Sequence, residues 1–69
     1  MDRERVVSSN IRSVGYDPDS RTREVEFASG SVYAYLNVPA HHHEKLMKAS
    51  SKGRYLNHYI KDQYRYVQV

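Results

Sequence analysis

The chain has 69 residues, no cysteine and a net charge of +3, which excludes a disulfide- or thiolate-zinc-stabilised fold and leaves room for one small core. No stretch approaches the roughly 20 apolar residues of a membrane span, and the charged N-terminus lacks a secretory signal, so we expect a cytoplasmic protein with no membrane partner. Residues 1–36 carry five Lys/Arg and six Asp/Glu, whereas residues 37–69 carry six Lys/Arg and two acidic residues. A basic C-terminal half indicates an anionic partner.

The N-terminal half predicts strands. Residues 1–9 are polar and are expected to form a flexible segment. A first strand is predicted at about 10–16, ending at the turn sequence "DPDS". The stretch "REVEFA" alternates, with Val25 and Phe27 on one face, and "SVYAYL" predicts a third strand after the turn at "ASGS".

The turn between the second and third strands determines which face the tyrosines occupy. A two-residue turn ending at Gly30 would pair Phe27 with Val32 and place the tyrosines beside the glutamates. A type I turn with Gly30 as a bulge would pair Val25 with Tyr33 and place the tyrosines on the core face. We favour the bulge, because "SG" lacks the Asn or Asp that a type I′ turn prefers.

Helical periodicity follows the strands. Asn37 is the predicted N-cap and Pro39 suits the first turn of a helix that runs to about Ser50. Gly53 is predicted to end this helix as a left-handed C′ residue. A second helix is expected at about 54–63, with Leu56, Tyr59 and Ile60 buried and Arg54, His58 and Lys61 outward. Residues 65–69 are expected to form a tail or a short strand.

Three consecutive histidines stand in the first predicted helix, too few and too central for a purification tag. Adjacent helical residues diverge by about 100°, so the three rings do not converge on one ion and no metal site is predicted. Relative to Leu46, His42 is expected in the core, His43 at its boundary and His41 at the surface.

These elements predict an α+β fold, with a small three-stranded antiparallel meander followed by two helices packed on one face. Residues 10–64 would form the single domain. The predicted core comprises Ile11, Val14, Val25, Phe27, Tyr33, Tyr35, Leu46, Ala49, Leu56 and Ile60.

With these elements placed, the sequence resembles the KTSC domain, a small domain named for a segment at the C-terminus of some lysyl-tRNA synthetases and also found free-standing in bacteria and their viruses. The resemblance runs from about Ser9 to Tyr64. The matching residues are Gly15-Tyr16, Phe27, Gly30, Tyr33-Ala34-Tyr35, Val38-Pro39, Leu46, Ala49, Ser51-Lys52-Gly53-Arg54-Tyr55, Asn57, Ile60 and Tyr64. His42 and His43 depart from it, since the family tends to place apolar or aromatic residues there. The resemblance implies a binding domain, with RNA as a suggested ligand.

Two sequence features indicate where a ligand would bind. The segment "SSKGRY" combines hydroxyls, a glycine and two cations between the predicted helices, as a phosphate site would. A helix-capping turn with solvated charges explains the same residues. Tyrosines also alternate with cations, as in proteins that stack single-stranded nucleic acid, although most of these tyrosines could instead build the core. The predicted phosphate contacts are Lys45, Lys48, Ser51, Lys52, Gly53, Arg54, Lys61 and Arg65, and the stacking candidates are Tyr55 and Tyr66.

The sequence favours a non-enzymatic binding domain. It has no nucleophile motif and no paired carboxylates that the spacing would bring together, and no cofactor is predicted. RNA or another nucleic acid is the first expected partner. A protein–protein or homo-oligomer module is the alternative, and a further one is a small-nucleotide binder, such as a viral protein that sequesters a host nucleotide signal.

Overall fold

Five antiparallel strands lie side by side in chain order in the computed structural model, which describes residues 2–69. The strands are β1 (Glu4–Arg5), β2 (Ile11–Asp17), β3 (Thr22–Phe27), β4 (Val32–Tyr35) and β5 (Tyr66–Gln68). The α+β class and the central meander were predicted correctly, but a three-stranded sheet was wrong. β1 and β5 add one strand at each edge, where they lie in segments expected to be a flexible N-terminus and a tail or short strand.

The turn between β3 and β4 adopts the predicted bulged form. Val25 pairs with Tyr33, and Gly30 has a φ of +96°, a conformation that glycine adopts without steric cost. The Gly30 N–H donates to the Phe27 carbonyl at 2.9 Å, and the Phe27 N–H donates to the Ser31 carbonyl at 2.9 Å. This register places Tyr33 and Tyr35 on the core face, beside Val25.

The helical layer is shorter and less regular than predicted. It consists of α1 (Ala40–Lys48), α2 (Lys52–Tyr55) and a π-helical turn at Leu56–Ile60 that continues α2 directly. The Lys61 N–H donates to the Leu56 carbonyl at 2.7 Å, which is the i to i+5 bond of a π-helix. No helix within residues 2–69 has the length and apolar character needed to cross a membrane.

Asn37 is not the N-cap of α1. Its φ of +59° is left-handed, which Asn tolerates better than most residues, and Pro39 occupies the cap position without a side-chain hydrogen bond. The left-handed residue turns the chain so that Val38 is fully buried, with its N–H donating to the Arg21 carbonyl at 2.8 Å.

Gly53 is also not a C′ residue. It is a buried member of α2, and α1 ends at Ala49 in an extended conformation. A Cβ atom at Gly53 would lie 2.5 Å from Asn10 Oδ1 and 3.1 Å from Ser8 Oγ. The glycine therefore permits close approach of the chain before β2, which is a packing requirement that local turn chemistry does not reveal.

The core lies between the sheet and the helical layer. Of the predicted core, Phe27, Tyr33 and Ala49 are half-buried and the other members are buried. The prediction missed Val38 and Arg23, which are both fully buried. The separate prediction that the second helix buries Tyr59 was wrong, since Tyr59 is 47% exposed. The wide π turn places Leu56 and Ile60 against the core and Tyr59 outside.

The two sides of the π turn should differ in their contribution to stability. Leu56→Ala should lower the free energy of unfolding by about 2–5 kcal/mol, because it removes a buried side chain and leaves a cavity. Tyr59→Ala should lower it by less, no more than about 1.5 kcal/mol, because the ring is half-exposed and loses only its contacts with neighbouring aromatic rings. Urea unfolding followed by circular dichroism measures both values. Equal losses in the two variants would contradict the placement of Tyr59 outside the core.

Candidate nucleic-acid interface

The three consecutive histidines of α1 have separate environments. His41 is exposed, whereas His42 and His43 are half-buried and contact different groups. His42 Nδ1 is hydrogen-bonded to the Tyr55 hydroxyl at 2.9 Å, and His43 Nδ1 accepts from the Arg23 guanidinium. His42 is thus less buried than predicted. Among residues 2–69, no three His, Cys, Asp or Glu side chains are placed to hold a metal ion.

Arg23 is a fully buried cation on the core face of β3. Its Nη2 donates to His43 Nδ1 at 2.6 Å and its Nη1 donates to the Gly15 carbonyl at 3.3 Å. The guanidinium carbon lies 5.2 Å from the centre of the Tyr16 ring, and the same ring stacks on His43 with centroids 5.0 Å apart. Among residues 2–69, the Nε atom has no hydrogen-bond partner. Within this part of the chain, the buried guanidinium is therefore held by neutral groups and no carboxylate.

This arrangement requires a neutral His43. A guanidinium only donates hydrogen bonds, so the Nδ1 atom that faces Arg23 must carry a lone pair. Burial, and then the charge of Arg23, lower the pKa of His43 below its ordinary 6.5. Burial also lowers the pKa of Arg23 to about 10, which still leaves it charged at neutral pH.

An aromatic cluster forms where α1 meets α2 and the π turn. Tyr55 and Tyr59 have ring centroids 4.6 Å apart, and His58 contacts Tyr59 at 4.7 Å. His42 contacts Tyr55, Tyr59 and Tyr64 at 5.9–6.2 Å between centroids. We call His42, Tyr55, His58, Tyr59 and Tyr64 the aromatic cluster. Burial first, and then the nearby His41 and Lys45, lower the pKa of His42. The lowered pKa favours the uncharged form of this ring.

Two open clefts adjoin Tyr59. The Arg54 cleft has a volume of about 580 Å³, and its lining includes Ser50, Ser51, Arg54, Tyr55, Asn57 and Tyr59. The Gln63 cleft has a volume of about 410 Å³ and is lined by His42, His58, Tyr59, Gln63 and Tyr64. His58 and Tyr59 line both, so this pair separates the two clefts.

The predicted "SSKGRY" site is divided by the fold. Ser51 Oγ accepts from the Arg54 N–H at 3.3 Å as the cap of α2, and Lys52 Nζ donates to the Ala49 carbonyl at 3.2 Å. Gly53 packs against the chain before β2. Capping and packing thus account for three of its residues, whereas Arg54 is exposed and Tyr55 half-buried at the Arg54 cleft.

The other predicted contacts do not form one stripe. Lys45 and Lys48 are exposed on the last turn of α1, and Lys45 is close enough to help lower the pKa of His42. Lys61 lines a different cleft beside Asn10 and Phe27. Arg65 and Tyr66 line another cleft near β5, where the Tyr66 ring contacts Tyr33 and Tyr35.

A second group of cations lies on the opposite face of the sheet. Arg3, Arg5 and Arg12 line a cleft there together with Asp2 and Glu26. Arg3 is paired with Glu24 at 2.8 Å, so acidic side chains offset part of this charge. None of the described residues that line this cleft is aromatic.

Several residues of the two clefts were not among the predicted ligand contacts, including His42, Asn57, Tyr59 and Gln63. Tyr59 and His42 were assigned to the core by helical periodicity, which places i and i+3 on one face. The π turn breaks that periodicity at Tyr59. Asn57 and Gln63 are exposed amides that no local pattern separates from ordinary surface residues, although Asn57 is among the residues that match the KTSC domain.

Comparison with protein families agrees with the fold. The family model of the KTSC domain matches residues 7–64. The chain belongs to the KTSC domain family. A crystal structure of a KTSC domain protein from Yersinia pestis superimposes with a TM-score of 0.96 at 41% sequence identity, covering 99% of this chain and 96% of that one. The predicted resemblance is confirmed.

Other relatives show the KTSC domain in two settings. An uncharacterized protein from Stutzerimonas stutzeri is 44% identical over 70 residues, with 100% of this chain and 99% of that protein covered. A lysine–tRNA ligase from Nostoc sp. is 43% identical over 61 residues, which are 88% of this chain and 11% of the ligase. The KTSC domain thus forms nearly the whole of one relative and a small part of the other.

The stability of this KTSC domain should decrease in mild acid. Because the folded state lowers the pKa of His43, the unfolded chain takes up the proton first as the pH falls. The free energy of unfolding should therefore be greatest above about pH 6.5 and decrease below it. Urea unfolding at about pH 7.5 and about pH 5.5 measures the change. His42 has a pKa shift in the same direction and contributes to this decrease.

His43→Gln supplies the decisive variant. Its amide oxygen can still accept from Arg23 but does not titrate, so this variant should lose less stability between the two pH values. The matched control is His41→Gln, which changes an exposed ring and should behave like the wild type. An undiminished pH dependence in His43→Gln would contradict the role of the Arg23–His43 hydrogen bond.

Proposed function

We propose that this KTSC domain is a non-enzymatic RNA-binding module and that RNA binds at the aromatic cluster. The observation that carries the proposal is the half-exposed Tyr59 ring, backed by Tyr55 and His58 and adjacent to the exposed Arg54. Aromatic rings beside cations are the common means of holding single-stranded nucleic acid, because bases stack on the rings and the cations neutralise phosphates.

The charge distribution supports the same surface. Between Ala40 and Ile60 the chain has four Lys/Arg and one acidic residue, Glu44. The cleft on the opposite face of the sheet includes Asp2 and Glu26 among its arginines and has no ring on which a base could stack. The helical layer therefore suits a polyanion with exposed bases better than the cleft on the opposite face of the sheet does.

The settings of related proteins also favour RNA. Lysine–tRNA ligases from Nostoc and Trichormus variabilis contain a segment 43% and 41% identical to this chain. An enzyme of that name acts on an RNA, and a module within it that contacts RNA would be in keeping with that role. A free-standing domain of the same fold would retain the binding surface without the catalytic chain.

The shape of the clefts favours a strand over an enclosed small nucleotide. The Arg54 cleft has a volume within the usual 300–1,000 Å³ of small-ligand sites, but it is open and adjoins the Gln63 cleft across Tyr59. Because the two clefts are open, a nucleotide bound in one of them can be joined to further nucleotides of the same strand. A small-nucleotide binder remains an alternative that a competition experiment distinguishes.

RNA binding should depend on Arg54 more than on another cation of equal charge. Arg54→Glu should weaken binding of a labelled single-stranded RNA by at least about tenfold, because it replaces a phosphate contact with a repulsive charge. The matched control is Lys61→Glu, which changes the net charge by the same amount but lies at a different cleft, and it should have a smaller effect. Fluorescence anisotropy measures both affinities.

Salt provides the second readout of the same experiment. Binding by the wild type should weaken between about 50 and about 200 mM salt, and loss of one phosphate contact should reduce the slope of log K against log salt by about 0.7 for a single strand. Equal losses in the two variants would mean that overall charge, not the aromatic cluster, directs binding. No binding at low salt to any RNA would overturn the proposal.

A further inference from the structure

The π turn exposes Tyr59 and places its ring between two clefts. In an α-helix, residues three apart share a face, so Tyr59 would lie beside Leu56 and point toward the core. The i to i+5 bond from Lys61 to Leu56 widens the turn, and Tyr59 projects between the Arg54 cleft and the Gln63 cleft. Single π turns are frequent at functional sites.

Each cleft offers polar groups and a ring that suit part of a nucleotide, and the Arg54 cleft also offers a cation. The Arg54 cleft offers a guanidinium for a phosphate and the amide of Asn57 for a base edge. The Gln63 cleft offers the amide of Gln63 and the ring of His42. Amide side chains both donate and accept hydrogen bonds, so they suit the edges of unpaired bases. The Tyr59 ring belongs to both clefts.

We propose that the recognised unit is an unpaired dinucleotide step that crosses Tyr59, with one nucleotide in each cleft. This inference rests on the proposed RNA binding and specifies its ligand as single-stranded. Bases paired within a duplex are stacked on one another and cannot reach a tyrosine between two clefts. A single nucleotide would occupy only one of them.

A competition experiment tests the size and strandedness of the ligand. Fluorescein-labelled single-stranded RNA would be displaced by a mononucleotide, a dinucleotide, a longer strand and a duplex of the same sequence. The dinucleotide should compete about 5- to 150-fold better than the mononucleotide, the range that one further stacked base contributes. The duplex should compete at least about tenfold less well than the strand.

Variants at Tyr59 test the ring itself. Tyr59→Leu keeps the bulk of the side chain and should weaken binding about 5- to 150-fold, whereas Tyr59→Phe keeps the ring and should remain within about threefold of the wild type. Tyr66→Leu is the matched control, because Tyr66 is also exposed but lies at β5. Circular dichroism confirms that each variant is folded. Stacking requires only bases, so single-stranded DNA should bind within about tenfold of RNA.

The outcomes separate this inference from the proposed function. If the mononucleotide competes as well as the dinucleotide, if the duplex binds as well as the strand, or if Tyr66→Leu loses as much as Tyr59→Leu, the dinucleotide step is overturned while RNA binding stands. Failure of single-stranded DNA to bind would also overturn it, because sugar contacts would then replace stacking as the main interaction. If neither strand nor duplex binds, the proposed function itself fails.

Discussion

The π-helical turn at Leu56–Ile60 determines what this domain presents to solvent. A sheet with a buried face needs apolar side chains from the helical layer, and Leu46 is the only fully buried residue of α1. Leu56 and Ile60 add two more buried side chains, with the half-buried Met47 and Tyr55 packed beside them. The wide turn buries both and leaves Tyr59 outside, so one backbone feature completes the core and also exposes an aromatic ring.

Arg23 imposes a second constraint, and the histidines meet it. A buried cation without a carboxylate is costly, and here the ring of His43, the face of Tyr16 and one backbone carbonyl offset part of the cost. His43 must remain neutral to accept the hydrogen bond from Arg23. The neighbouring His42 instead contacts the tyrosines of the aromatic cluster, so these consecutive histidines have distinct structural roles.

Alternation and turn chemistry predicted the central strands and the bulge at Gly30, because these depend on neighbouring residues. β1 and β5 have only two and three residues, too few for alternation to detect. Arg23 shares a face with Val25 by the same alternation, but the usual exposure of arginine concealed it. The π turn and the close approach at Gly53 depend on tertiary packing, so Tyr59 and the two clefts could not be located from the sequence.

The central claim is that the aromatic cluster of the helical layer is the ligand-binding surface. A heteronuclear NMR titration of the labelled domain with a short single-stranded RNA tests it most directly, because it maps contacts without altering any residue. We predict that the largest shift changes fall on Arg54, Tyr55, Asn57, Tyr59 and Gln63. Largest changes at Arg5 and Arg12, on the opposite face of the sheet, would contradict this account.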